Sequence, residues 1–134
     1  MMNKINKYSA VLDIELYEWS EQFLNQSIKP GEEIKSVSIK TIYKFENNEI
    51  VELSLSELSE ICYKSKEITF VQKNFSKTFR SENGFNVKQI FNNVEDFEME
   101  ARHLTNLFGN IDTHHIVFEG FYKIKENHYE IYWS

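Results

Sequence analysis

The chain has 134 residues, 41% of them hydrophobic and 15% aromatic, which is apolar material for one core and rules out a disordered tail. Its net charge of −6 argues against nucleic-acid binding, which runs on phosphate neutralisation. No stretch approaches the ~18 consecutive apolar residues of a membrane span, so no membrane partner is expected.

Residues 1–134 are therefore read as a single domain. The first residues, Met-Met-Asn-Lys-Ile-Asn-Lys-Tyr, hold no continuous apolar run of the signal-peptide kind, so the expected compartment is the cytoplasm. The single Cys62 lies in an apolar stretch and reads as a buried, inert thiol. The charge is uneven. Residues 1–33 set three Lys against six acids. Residues 92–112 set Arg102 against Glu95, Asp96, Glu98, Glu100 and Asp112, while residues 67–91 carry an excess of cations. Abundant Lys, Asn and Ile suggest an AT-rich bacterial or phage genome.

Leu12, Leu16, Trp19 and Phe23 form a stripe at helical spacing, so a helix is expected over 12–26. Alternation of Ala10, Leu12, Ile14 and Leu16 makes a strand the rival over 8–16. Pro30-Gly31 breaks the chain. Val37, Ile39, Thr41, Tyr43 and Phe45 then alternate as a strand, and Asn47-Asn48 turns it into a hairpin with 49–53. Ser54 and Glu57 form a capping-box pattern opening a helix over about 55–64. Three strands are expected at 67–73, 77–82 and 85–91, the last two joined at Asn83-Gly84. Asn92 or Asn93 would cap a helix running to about Phe108, with Val94, Phe97, Ala101, Leu104 and Phe108 as its core stripe.

Strands 115–125 and 128–133 flank the loop Glu126-Asn127. The expected register opposes Lys123 with Glu130, Phe121 with Tyr132, and Gly120 with Trp133. The predicted fold class is α+β: an antiparallel sheet built from hairpins with about three helices packed on it.

Few residues are arranged for chemistry. Gly-rich phosphate loops, nucleophile elbows and CxxC pairs are absent. Adjacent strand residues point to opposite faces, so His114-His115 does not form a metal pair. His115 and Glu119 could share a strand face as an acid/base pair, but the pattern also fits an exposed edge. Lys73 to Arg80 interleaves cations with Phe75 and Phe79, which period-2 burial explains better than base stacking. No catalytic residue, metal ligand or cofactor is assigned.

The most informative surface is the helix face opposite the core stripe, with Glu95, Asp96, Met99, Arg102, His103 and Asn106. Acids around a flexible apolar side chain suit contact with a basic protein. Glu95, Asp96, Met99, Glu100 and His103 are the candidate partner-binding residues. The expected function is a small acidic inhibitor, an immunity protein neutralising a basic toxin such as a nuclease. The alternatives are a phage-encoded inhibitor of a bacterial defence protein, or a small motif-poor enzyme or ligand-binding domain with an aromatic pocket.

Overall fold

A computed structural model describes residues 2–17, 33–104 and 111–134. A 3-10 turn, Ile5–Lys7, leads into β1 (Ser9–Leu16). Period-2 burial therefore wins over the helical stripe: Ala10 and Leu12 are buried while Val11 is exposed. The expected helix over 12–26 is corrected to strand for 12–16, and residues 18–26 lie outside the described residues. β2 (Ile34–Glu46) and β3 (Glu49–Glu52) form the expected hairpin. Asn47 and Asn48 take φ of 53° and 64°, the left-handed pair that a two-residue turn requires.

The Ser54–Glu57 capping box is present, but α1 covers only Leu55–Leu58. Ile61–Tyr63 is β4, not the end of that helix. Leu55 and Ile61 of the supposed stripe are exposed, so continuing the helix would bury little, whereas the strand buries Tyr63 completely. β5 (Glu67–Gln72) and β6 (Phe75–Arg80) make a hairpin through Lys73-Asn74.

The strand expected over 85–91 shrinks to β7 (Phe85–Asn86), which pairs with β4 rather than β6. Gly84, at φ 77°, carries the chain there; a Cβ on it would lie 2.6 Å from the Tyr63 carbonyl oxygen. Val87 already opens α2 (Val87–Leu104). Its stripe of Val87, Ile90, Phe91, Val94, Phe97 and Ala101 is buried throughout, which accounts for the early start. The cap is Asn86, not Asn92 or Asn93. The Gln89 backbone N–H donates to Asn86 Oδ1 at 2.8 Å, and the Asn86 N–H donates to Gln89 Oε1 at 2.7 Å. Leu104, expected in the core, is exposed. Two α-helices, not three, lie among the described residues.

β8 (Phe118–Lys125) and β9 (His128–Trp133) turn at Glu126-Asn127 as expected. Lys125 opposes His128, but a bulge at Ile124 then shifts the register by one, so Lys123 meets Tyr129 and Phe121 meets Ile131. A second irregularity at Glu119 leaves Gly120 opposite Tyr132 and Phe118 opposite Trp133. This shift puts Phe118, Phe121 and Tyr129 in the core together.

The strands form a three-stranded antiparallel sheet, β1-β2-β3, the β4-β7 pair, and a four-stranded sheet, β6-β5-β9-β8. One pairing departs from hairpin logic: β5 and β9 run parallel. A bridge between Val11 and Val117 joins the two larger sheets, helped by the Leu12 N–H donating to the Ile116 carbonyl at 2.8 Å. α2 packs across both. Phe97 meets Phe70 and Phe75, and Phe91 meets Phe118, at centroid distances of 5.2 to 5.8 Å. No helix among the described residues is long and apolar enough to cross a membrane.

Candidate functional site

The helix face expected to meet a partner is partly engaged inside the fold. Glu95 Oε2 accepts the Ile39 backbone N–H at 2.7 Å, and His103 Nε2 accepts that of Ile34 at 3.0 Å. His103 Nδ1 sits 2.8 Å from the Met99 carbonyl, so Nδ1 donates there while Nε2 accepts from Ile34. Burial raises the Glu95 pKa, opposed by the Ile39 hydrogen bond. Met99 is half-buried. Asp96 and Glu100 are exposed, and Lys77 Nζ holds Glu100 at 2.6 Å. Two of the five candidates thus clasp α2 to β2 instead of standing free, which removes the pair as an open contact surface.

Arg102, read from the sequence as exposed, is only 5% accessible, and Glu98 beside it 1%. Arg102 Nε donates to Glu98 at 3.3 Å. Its Nη1 and Nη2 donate to the Asp112 and His115 carbonyls at 2.7 and 2.5 Å, and its guanidinium lies over the Trp133 ring at 5.4 Å. Burial raises the Glu98 pKa and Arg102 opposes it. The Trp133 indole N–H is buried near this carboxylate without completing a hydrogen bond.

Around this pair is an open cavity of about 290 Å³ whose lining includes Gln72, Asp112, His115 and Tyr132. His115 Nδ1 lies 2.7 Å from Asp112 Oδ2. Partial burial would raise the Asp112 pKa, but the backbone N–H groups of His114 and His115 and the His115 ring bring it down to about 2. The His115–Glu119 pair weighed from the sequence against an exposed edge is not formed: Glu119 accepts the Ser134 hydroxyl at 2.6 Å. Cys62 is half-buried, and desolvation pushes its thiol up to about 11, which keeps it protonated and unreactive.

A second surface escaped the sequence reading. Direct pairing puts Phe45 with Ile50 and Tyr43 with Glu52, so these four share the outer face of the three-stranded sheet, away from α2. Phe45 is 70% exposed and Ile50 67%. The apolar strip continues through Tyr43 into a shallow depression of about 490 Å³ lined by Val11, Thr41 and Ile116. Residues 45–61 carry Glu46, Glu49, Glu52, Glu57 and Glu60 and no Lys or Arg. Lys44 pairs with Glu46 and Glu57, and Lys4 with Glu60. Glu49 and Glu52 have no cation partner among the described residues. The signal was available as an acidic run joined to an alternating strand whose tip residues face no buried element.

Neither a scan against protein-family models nor searches of curated proteins and of solved structures returns a match to this chain.

Proposed function

We propose that this chain is a small cytoplasmic inhibitor that docks a basic protein through the outer face of β1-β2-β3, as an immunity protein or a phage anti-defence protein would. The supporting observation is the exposed Phe45–Ile50 pair at the tip of an acidic hairpin. Monomeric domains seldom hold out neighbouring large apolar side chains without a use for them. An apolar centre with a charged rim is the usual anatomy of a docking site. Here Glu52 shares the face of the apolar pair, while Glu49, at the hairpin tip, pairs with Glu46 on the opposite face; the complementary partner is cationic, and the acids of the hairpin would steer its approach.

The test uses the whole chain as bait in its native host, followed by kinetics on any basic protein retained. Phe45→Ser with Ile50→Ser should raise the dissociation rate. Glu49→Lys with Glu52→Lys should mainly slow association. All four positions are exposed, so both variants should fold. Retention of a basic partner with unchanged kinetics by both variants would refute the proposal.

A further inference from the structure

β3 (Glu49–Glu52) ends its sheet: the order is β1-β2-β3, and no described strand lies beyond it. The Leu53 N–H donates to the Ile42 carbonyl at 3.0 Å, which makes Ile42 and Leu53 a hydrogen-bonded pair. Antiparallel ladders alternate bonded and non-bonded pairs, so Lys44–Val51 and Glu46–Glu49 are bonded while Tyr43–Glu52 and Phe45–Ile50 are not. The N–H and C=O groups of Ile50 and Glu52 therefore point away from β2, in one row along the edge. Every β3 residue is exposed, so nothing among the described residues covers that row.

Side chains flank the row on both faces. Ile50 and Glu52 lie beside Phe45 and Tyr43, and Val51 and Glu49 lie beside Lys44 and Glu46 on the other face. A bare strand edge is usually blunted by charge. Here the charge is of one sign, which repels a second copy of the same edge and suits a cationic strand. The other free edge, β6, differs. Its Phe75 and Phe79 pack against the core, and its cations Lys77 and Arg80 are held by Glu100 and Glu67 at 2.6 and 3.4 Å.

We propose that β3 takes up an extended basic segment of the partner as an antiparallel fourth strand of the β1-β2-β3 sheet. Ile50 and Glu52 supply the backbone donors and acceptors for it. From its N-terminus, the segment sets a basic, an apolar, an apolar and a basic residue opposite Glu52, Val51, Ile50 and Glu49. Each cation then faces a carboxylate and each apolar side chain faces another. The inference rests on the docking proposal for the partner's charge and adds the form in which that charge is presented.

The probe is the acetylated, amidated peptide Thr-Lys-Val-Val-Lys-Thr, titrated into the whole nitrogen-15-labelled chain. Saturable millimolar shifts at the Ile50 and Glu52 amides, with slowed hydrogen exchange there, are expected. In this register the amide of the peptide's second Val faces β3 and that of its first Val faces solvent. N-methylation of the second Val should weaken binding by at least about tenfold, and N-methylation of the first should change it by less than about threefold. On the protein side, Glu52→Pro removes an outward N–H and a charge, whereas Glu52→Gln removes only the charge. The proline variant should bind at least about threefold more weakly than the glutamine one. If the proline variant does not fold, the methylated peptides still decide. Equal binding of the two methylated peptides, no saturable shift at β3, or self-association of the free chain through β3 in sedimentation would overturn the proposal. Such a failure beside a captured partner still sensitive to Phe45→Ser with Ile50→Ser refutes edge pairing alone. Peptide binding beside an insensitive partner refutes the docking face alone.

Discussion

Removing Arg102 should cost this protein more than any single surface change, and the cost should depend on pH. Arg102→Met leaves Glu98, 1% accessible, without its countercharge. Breaking one side of a buried ion pair costs about 3–5 kcal/mol, a large part of the roughly 5–15 kcal/mol that holds a domain together. The lost bonds to the Asp112 and His115 carbonyls add less, because those groups lie near solvent. Glu98 has an escape, which is to take up a proton. Burial raises its folded pKa above the ordinary 4.5, so ionisation is what destabilises the fold. The stability tied to the protonated form is fully present below the ordinary value and lost as pH rises through the folded one. The penalty of Arg102→Met should therefore be smaller at pH 4 than at pH 7. Replacing both partners, Arg102→Met with Glu98→Leu, removes the stranded charge and should recover most of the loss. Urea unfolding followed by far-UV circular dichroism at the two pH values measures all of this. A single variant that loses under about 1 kcal/mol at both pH values, or a double variant less stable than the single one, would refute the argument.

Three further outcomes are expected. Lys73 sits at φ 47° in the β5–β6 turn, so Lys73→Gly should raise stability by roughly 0.5–1 kcal/mol in urea unfolding; a loss would show that its side chain contributes more than its backbone costs. Glu95→Gln keeps an acceptor for the Ile39 N–H while removing a charge whose pKa burial raises. Its stability relative to the parent should therefore improve from pH 4 to pH 7, and a flat difference would count against a clasp that pays for ionisation. Asp112→Asn should behave in the opposite sense. The Asp112 pKa is lowered to about 2 from an ordinary 3.8, so its contribution is present above the ordinary value and lost as pH falls through the lowered one. The variant should be less stable than the parent at neutral pH and nearly equal to it near pH 2.

Local signals in the sequence identified local structure well. The Asn47-Asn48 turn, the Ser54–Glu57 capping box and the Glu126-Asn127 loop are each specified by residues within a few positions, and each is present. Errors arose where tertiary packing chose between two local options. Val87, Ile90 and Phe91 suit a strand in isolation but complete a helical stripe that the core buries along its whole length. Residues 12–16 carry both periodicities, and pairing with β2 selected the strand. The register of the last hairpin was right at its turn and slipped by one at Ile124, because bulges answer to the core beneath them and leave little trace in a pairing pattern. The candidate site suffered in the same way. A helical wheel ranks Glu95, Arg102 and His103 as solvent-facing, and only the tertiary structure shows β2 and the 112–115 segment covering them.

The docking claim is tested most directly by the association rate between this chain and a basic protein captured from its host, measured across a series of salt concentrations. The rate should fall steeply with added salt. Glu49→Lys with Glu52→Lys should slow association and flatten that dependence, while the fold stays intact. A salt-insensitive rate, or an unchanged rate for the lysine variant, would contradict it.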